Sequence, residues 1–324
     1  MLDVSESMET DAVAGGKSVE SHGFSRLDLV KHSINTMIEF MNDCDEIALV
    51  PFSNSAKILM NSTKMTVAGK NLAKQRVKEL KANGSTNIWD GLKVALEVAK
   101  KLDSEKKNVF TVLLSDGEPN LNPPRGIVPT FKKWITIEKL VTPNVHVFGY
   151  GYELDTNLLV DIAHTGHGTY AYIPDCSMVG TVFVNFMANA LSTVTNMAEL
   201  DLSEISRELG QSKLVGFNPA PNSKYNLGCI QFGQERNVLL RIKNLKKDEG
   251  NSKIKLNYGG NFVHNETIEL NDIGITKDEG KMNEMILRAG YLDLLQECLA
   301  NGKKLDPSVE SIRKFYDHVE KCEK

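Results

Sequence analysis

Across its 324 residues the chain carries 25% charged and 41% hydrophobic residues, an ordinary globular balance at a length that favours two domains. A net charge of −4 supplies no basic field, which excludes nucleic acid or an anionic membrane as the main partner. No run approaches the roughly 20 apolar residues of a bilayer-crossing helix, and five scattered cysteines (Cys44, Cys176, Cys229, Cys298 and Cys322) without a C-x-x-C pair read as reduced thiols of a cytoplasmic protein.

In chain order, Met1-Leu2 precedes Asp3-Val4-Ser5-Glu6-Ser7-Met8 and reads as the clipped end of a first strand. A buried strand usually holds about five residues, so a fragment or a displaced start is expected, with a signal peptide upstream left open. Residues 9–25 form a long polar link, read as a solvated insertion. Leu27, Val30, Ile34, Met37, Ile38 and Met41 then recur at helical spacing. Glu46–Phe52 has strand length and Lys57–Met60 follows as an edge strand. Residues 70–81 read as a surface helix, and Ile88, Leu92, Ala95, Leu96 and Ala99 form another helical stripe. Asn108–Leu114 is a near-continuous β-rich apolar run, as a central parallel strand covered on both faces requires.

A strand at Val145–Tyr150, a short helix at 156–164 and a strand at Thr169–Ile173 come next, and a long apolar helix face runs from Val179 to Val194. Strands alternating with helices predict an α/β fold over residues 1–198, with a doubly wound, mostly parallel sheet. After residue 199 the rhythm changes. Val238/Leu240/Ile242, Ile254/Leu256/Tyr258 and Thr267–Leu270 alternate between polar turns and predict a small antiparallel β domain over 199–276. Residues 277–324 read as C-terminal helices, from Leu287, Tyr291, Leu294, Leu295, Cys298 and Leu299, then Ile312, Phe315, Tyr316 and Val319.

Three pieces carry chemistry: Asp3-Val4-Ser5-Glu6-Ser7, Gly84-Ser85-Thr86-Asn87 and Leu114-Ser115-Asp116-Gly117-Glu118. In an open α/β sheet, ligands gather beyond the carboxyl ends of the strands where the strand order reverses. The first and fourth predicted strands flank that reversal, so Asp3, Ser5 and Ser7 converge with Asp116, and Thr86 joins them from a loop opening a helix. Two carboxylates and three hydroxyls form a hard-oxygen set suited to one octahedral Mg²⁺, or Mn²⁺, with room for water or a further carboxylate. Asp3 and Asp116 act directly or through water. Each residue also has an ordinary reading, as a loop hydroxyl, a helix cap or a turn.

The set resembles the metal-ion-dependent adhesion site of von Willebrand factor A domains. The resemblance covers about residues 1–198 and is carried by DVSESM, GSTNIWDGL and LLSDGEPN. Glu6 stands where that family commonly has a small residue. The run Ala171–Thr181 resembles an intracellular eukaryotic branch, in which the domain is joined to a ubiquitin-ligase-type or intein-like module. The resemblance implies that a bound cation with few direct anionic ligands stays electrophilic and accepts an Asp or Glu carboxylate from a protein partner.

The expected function is therefore a metal-dependent protein-interaction module in an intracellular scaffold or adaptor. A Mg²⁺-dependent phosphoryl-transfer or hydrolytic enzyme is the alternative, lacking a Gly-rich phosphate loop. A non-catalytic part of a ubiquitin-ligase or intein-like assembly is a third. His164-Thr165-Gly166-His167 has H-x-x-H spacing but no Glu beside it, and reads as turn histidines. Cys176 reads as an ordinary thiol, and Trp89 as core packing.

Overall fold

Two residues, Leu2–Asp3, form β1, and a parallel sheet is assembled around them. The computed structural model describes residues 1–10, 24–103, 108–138, 140, 143–151, 154–174, 176–205, 223–235, 238, 253–259, 264–269, 279–300 and 313. Within them α1 spans Arg26–Phe40, β2 Glu46–Leu49, β3 Pro51–Phe52, β4 Met60–Lys64, α2 Val67–Lys78 and α3 Ile88–Asp103. There follow β5 Thr111–Ser115, α4 Ile127–Glu138, β6 Val145–Tyr150, α5 Thr156–Thr165, β7 His167–Ile173 and α6 Cys176–Leu191. The five-stranded sheet has the order β3-β1-β5-β6-β7, parallel throughout.

The alternation of side chains explains why its strands are apolar on both faces. Leu114, Phe148 and Tyr150 pack with Val30, Ile34 and Ile38 of α1 and with Val179 and Phe183 of α6. Leu113, Val145 and Val147 pack on the other side with Leu92 and Leu96 of α3, Phe131 of α4 and Leu159 and Ile162 of α5. Two helical layers thus cover one sheet, as the alternating sequence predicts. Trp89 lies half-buried in the second of these clusters, a packing role.

Several boundaries differ from the sequence reading. Glu46–Phe52 changes pairing partner midway. Its first half, β2, pairs antiparallel with β4, with a register shift between Ile47 and Leu49. Its second half, β3, pairs with β1, and Val50 and Phe52 carbonyls accept the Leu2 and Val4 amides at 2.9 Å each. The edge strand lies at Met60–Lys64, later than expected, because Leu59 N–H bonds Leu49 O at 2.8 Å only after the chain has turned. The α4 helix was not anticipated. Pro129 sits in its first turn, where a missing N–H costs nothing, while Ile127 and Phe131 bury one face. Val194 belongs to a strand. Ser192 and Thr193 hydroxyls bond back to Asn189 O at 3.1 and 2.7 Å, and the β-branched run Thr193-Val194-Thr195 continues extended.

A cavity of about 490 Å³ lies beside the N-terminal part of β5, lined by Met37, Ile47, Leu49, Ala95, Phe110 and Val112 among others. Met1 and Leu2 also line it.

The chain divides into a unit of Met1–Asn196 with Gly259–Asn261, and a unit of Met197–Tyr258 with Phe262–Lys324. A four-stranded sheet has the order β11-β10-β8-β9, from β8 Thr193–Asp201, β9 Lys224–Gln231, β10 Lys253–Tyr258 and β11 His264–Glu269. In the second unit β10 pairs antiparallel with both β8 and β11, and Leu200, Leu202, Tyr225, Leu227 and Ile254 make a small core. Strand β9 was not anticipated, since Asn226 and Gly228 break its alternation. A helix, α7, spans Glu279–Ala300. The predicted alternation of Leu240 and Ile242 and the helical pattern of Ile312, Phe315, Tyr316 and Val319 lie outside the described residues.

Candidate metal centre

The Asp3 loop leaves the C-terminal end of β1 and closes into a 3₁₀ turn over Glu6–Glu9. Met8, fully buried, anchors that turn, while Glu6 points outward as an exposed side chain. The loop is tied on both sides. Asn83 N–H donates to Val4 O at 2.7 Å, and Glu6 N–H to Gly84 O at 2.9 Å. Gly84 takes φ +76°, a left-handed conformation that favours glycine.

Thr86 is buried and is itself bound to the third loop. Its N–H donates to Asn120 Oδ1 at 3.1 Å, and its carbonyl accepts from Asn120 and Leu121 N–H at 3.0 and 3.1 Å. Capping of α3 falls to the next residue, since Asn87 Oδ1 accepts from Asp90 N–H at 3.1 Å. Thr86 therefore has no capping duty toward Asp90.

Asp116 follows β5 and is fully buried, as is Asp3. Gly117 takes φ +79° immediately after it, and a Cβ there would lie 2.8 Å from Leu159 Cδ1, so the turn admits only glycine without movement. The structure thus brings all three loops together at the C-terminal ends of the neighbouring strands β1 and β5.

The polar contacts divide the two carboxylates by role. Asp3 Oδ1 accepts from Ser5 N–H at 3.0 Å and from Ser5 Oγ at 2.6 Å, while Oδ2 accepts from Ser115 Oγ at 2.5 Å. Ser5 and Ser7 Oγ are 3.0 Å apart. Burial, then the nearby Asp116 charge, push the Asp3 carboxyl up to about 6 against the hydrogen bonds from Ser115 and Ser5. Three hydrogen bonds from protein donors thus hold Asp3 in place.

Asp116 is different. Its Oδ2 accepts from Arg26 Nη1 at 3.0 Å, and its Oδ1 is buried with no hydrogen-bond partner among the described residues. A buried carboxylate oxygen without a donor is costly, and a hard cation is one group that would satisfy it. The donor set fits such an ion: carboxylates and neutral hydroxyls, all oxygen. Among the described residues no three His, Cys, Asp or Glu side chains cluster as ligands, so any ion here depends on hydroxyls.

Two contributors were missed in the sequence. Ser115 bridges the loops, donating to Asp3 and accepting from Gly117 N–H at 3.0 Å. Its place beside Asp116 was visible, but its face was not. Arg26 falls between the polar link and the helical stripe that begins at Leu27, and a cation at a helix N-terminus, against the macrodipole, is the signal the sequence carried. The His164–His167 run spans the end of α5 and the start of β7, with His167 at φ +57°. Cys176 begins α6. Among the described residues there is no helix long and apolar enough to cross a membrane.

Residues 1–118 match the family model of the von Willebrand factor type A domain. The uncharacterized protein YfbK of Escherichia coli is 26% identical over 294 residues, covering 89% of this chain and 41% of that protein. "Probable E3 ubiquitin-protein ligase WAVH2" of Arabidopsis thaliana is 29% identical over 103 residues, 30% of this chain and 14% of that protein. The chain thus spans less than half the length of either relative. The solved von Willebrand factor type A structure from Catenulispora acidiphila superposes with a TM-score of 0.57 at 17% identity, covering 83% of this chain and 64% of that one.

Proposed function

From a chain whose first 118 residues match the von Willebrand factor type A domain, a common protein-interaction module, we propose a metal-dependent interaction protein. Asp3, Ser5, Ser7, Thr86 and Asp116 hold a Mg²⁺ or Mn²⁺ ion, and a partner protein supplies an Asp or Glu carboxylate as a further ligand. The observation that carries this reading is the buried Asp116 Oδ1, which lacks a hydrogen-bond partner among the described residues at the meeting point of three loops.

When bound, the ion supplies a Lewis-acidic position for a carboxylate oxygen. The chain's own residues do the rest. Ser115 and Ser5 hold Asp3 in one orientation, and Asp3 in turn fixes the Ser5 hydroxyl toward Ser7. The backbone bonds of Thr86 to Asn120 and Leu121 hold the second loop against the third. A scaffold or adaptor role inside the cell follows as part of the same proposal. The similarity to the Arabidopsis protein favours, as a second reading, a non-catalytic part of a ubiquitin-ligase assembly.

Titration of Mn²⁺ into the folded protein, with Mg²⁺ as competitor, tests the ion site. One competable site is expected, and Asp116→Ala should weaken it by more than about tenfold, since a charged ligand is lost. Absence of Mn²⁺ binding by a demonstrably folded wild type would sink the proposal.

A further inference from the structure

The candidate centre already contains a cation. Arg26 is the first residue of α1, and its Nη1 lies 3.0 Å from Asp116 Oδ2, with side-chain exposures of only 12% and 0%. Nothing about the helix asks for a positive charge there, because the N-terminus of a helix repels one. The residue is nevertheless placed from several directions. Its N–H donates to Thr10 O at 3.0 Å, so the helix start is tied to the Asp3 loop. A reciprocal capping box between Ser25 and Asp28 fixes the first turn. Beyond β6, Gly151 takes φ +89°, and a Cβ on it would come 2.9 Å from Arg26 Nε, so the guanidinium lies directly over a bare stretch of backbone.

Two buried carboxylates share this site, and buried charge is strongly destabilising unless a counter-charge accompanies it. We propose that Arg26 is the resident counter-ion of the metal-free centre and competes with a divalent cation for Asp116, thereby setting the ion affinity. The inference rests on the metal-binding reading above. A contact made in the metal-free state and given up on ion binding weakens that binding by the free energy of the contact.

Mn²⁺ binding isotherms for wild type, Arg26→Gln and Arg26→Lys, read by the resonance signal of free Mn²⁺ and paired with metal-free thermal melts, test this. Arg26→Gln should bind Mn²⁺ roughly tenfold or more tightly than wild type, while its metal-free form melts lower. Arg26→Lys keeps the charge but loses the planar fork, so its affinity should fall between the two. Binding by wild type with equal or weaker binding by the variants overturns it and leaves the ion site standing. No binding by any folded form overturns both. Should Arg26→Gln fail to fold, Arg26→Lys decides: a tighter site supports competition, and an unchanged or weaker one overturns it.

Discussion

At the scale of single residues, the centre depends on a serine that carries no part of the proposed ligand set. Ser115 Oγ links Asp3 Oδ2 to Gly117 N–H, joining the ends of β1 and β5 through one buried hydroxyl. Ser115→Ala leaves a buried carboxylate oxygen and a buried amide each short of a partner. A loss of about 1–3 kcal/mol is expected in a denaturant melt, together with weaker Mn²⁺ binding, because Asp3 is no longer held. A variant with unchanged stability would show that water replaces the hydroxyl. The contrast with Asp116 was not legible in the sequence. The motif D-x-S-x-S told which side chains could meet, since a loop leaving a strand can turn alternate residues to one point. It could not tell that Asp3 would be satisfied by protein donors and Asp116 left with a bare oxygen, because that difference comes from residues at positions 26 and 115.

At the scale of elements, β6 shows how a buried strand tolerates a titratable ring. His146 stands between Asn144 Oδ1 and Thr169 Oγ1, at 3.0 and 2.9 Å, with Phe110 and Phe186 against its faces at 5.8 and 5.1 Å. Burial lowers its pKa from 6.5 to about 4. The folded form therefore binds fewer protons than the unfolded form between those values. The stabilisation is fully present above pH 6.5 and is lost as pH falls through about 4, amounting to at most about 3 kcal/mol. Unfolding free energy measured from pH 7 to 4 should fall over that window, and His146→Gln should flatten the slope. An unaltered slope in the variant would assign the effect to other groups.

Most elements of this kind were readable from the chain. Val145–Tyr150 has both faces apolar, which only a strand between two helical layers can use, and the α1, α3 and α6 stripes repeat at helical spacing. The elements that escaped did so for local reasons. Pro129 and the lysines beside it masked α4, and Asn226 and Gly228 blurred β9. Val194 continued an apolar helical pattern whose helix is ended by the hydroxyls of Ser192 and Thr193.

At the scale of the whole molecule, the chain divides into two units with separate cores, and the candidate ligands all lie in the first. The most consequential feature of that unit is the set of bonds that ties β1 and its loop to their neighbours. Leu2 and Val4 amides bond β3's side of the sheet, and Leu114 N–H bonds Met1 O at 3.1 Å; with the Asn83–Val4 and Glu6–Gly84 bonds these hold the loop that carries Asp3, Ser5 and Ser7. A central position ordinarily gives a strand's amides the slowest solvent exchange in a domain. A local opening that breaks this set would release the loop without unfolding β6 or its helices. Amide hydrogens of Leu2, Val4 and Leu114 should accordingly exchange faster than that of Val147, and Mg²⁺ should slow the first group while leaving Val147 unaffected. The exchange rate of β1 would then be a direct readout of whether the centre is filled.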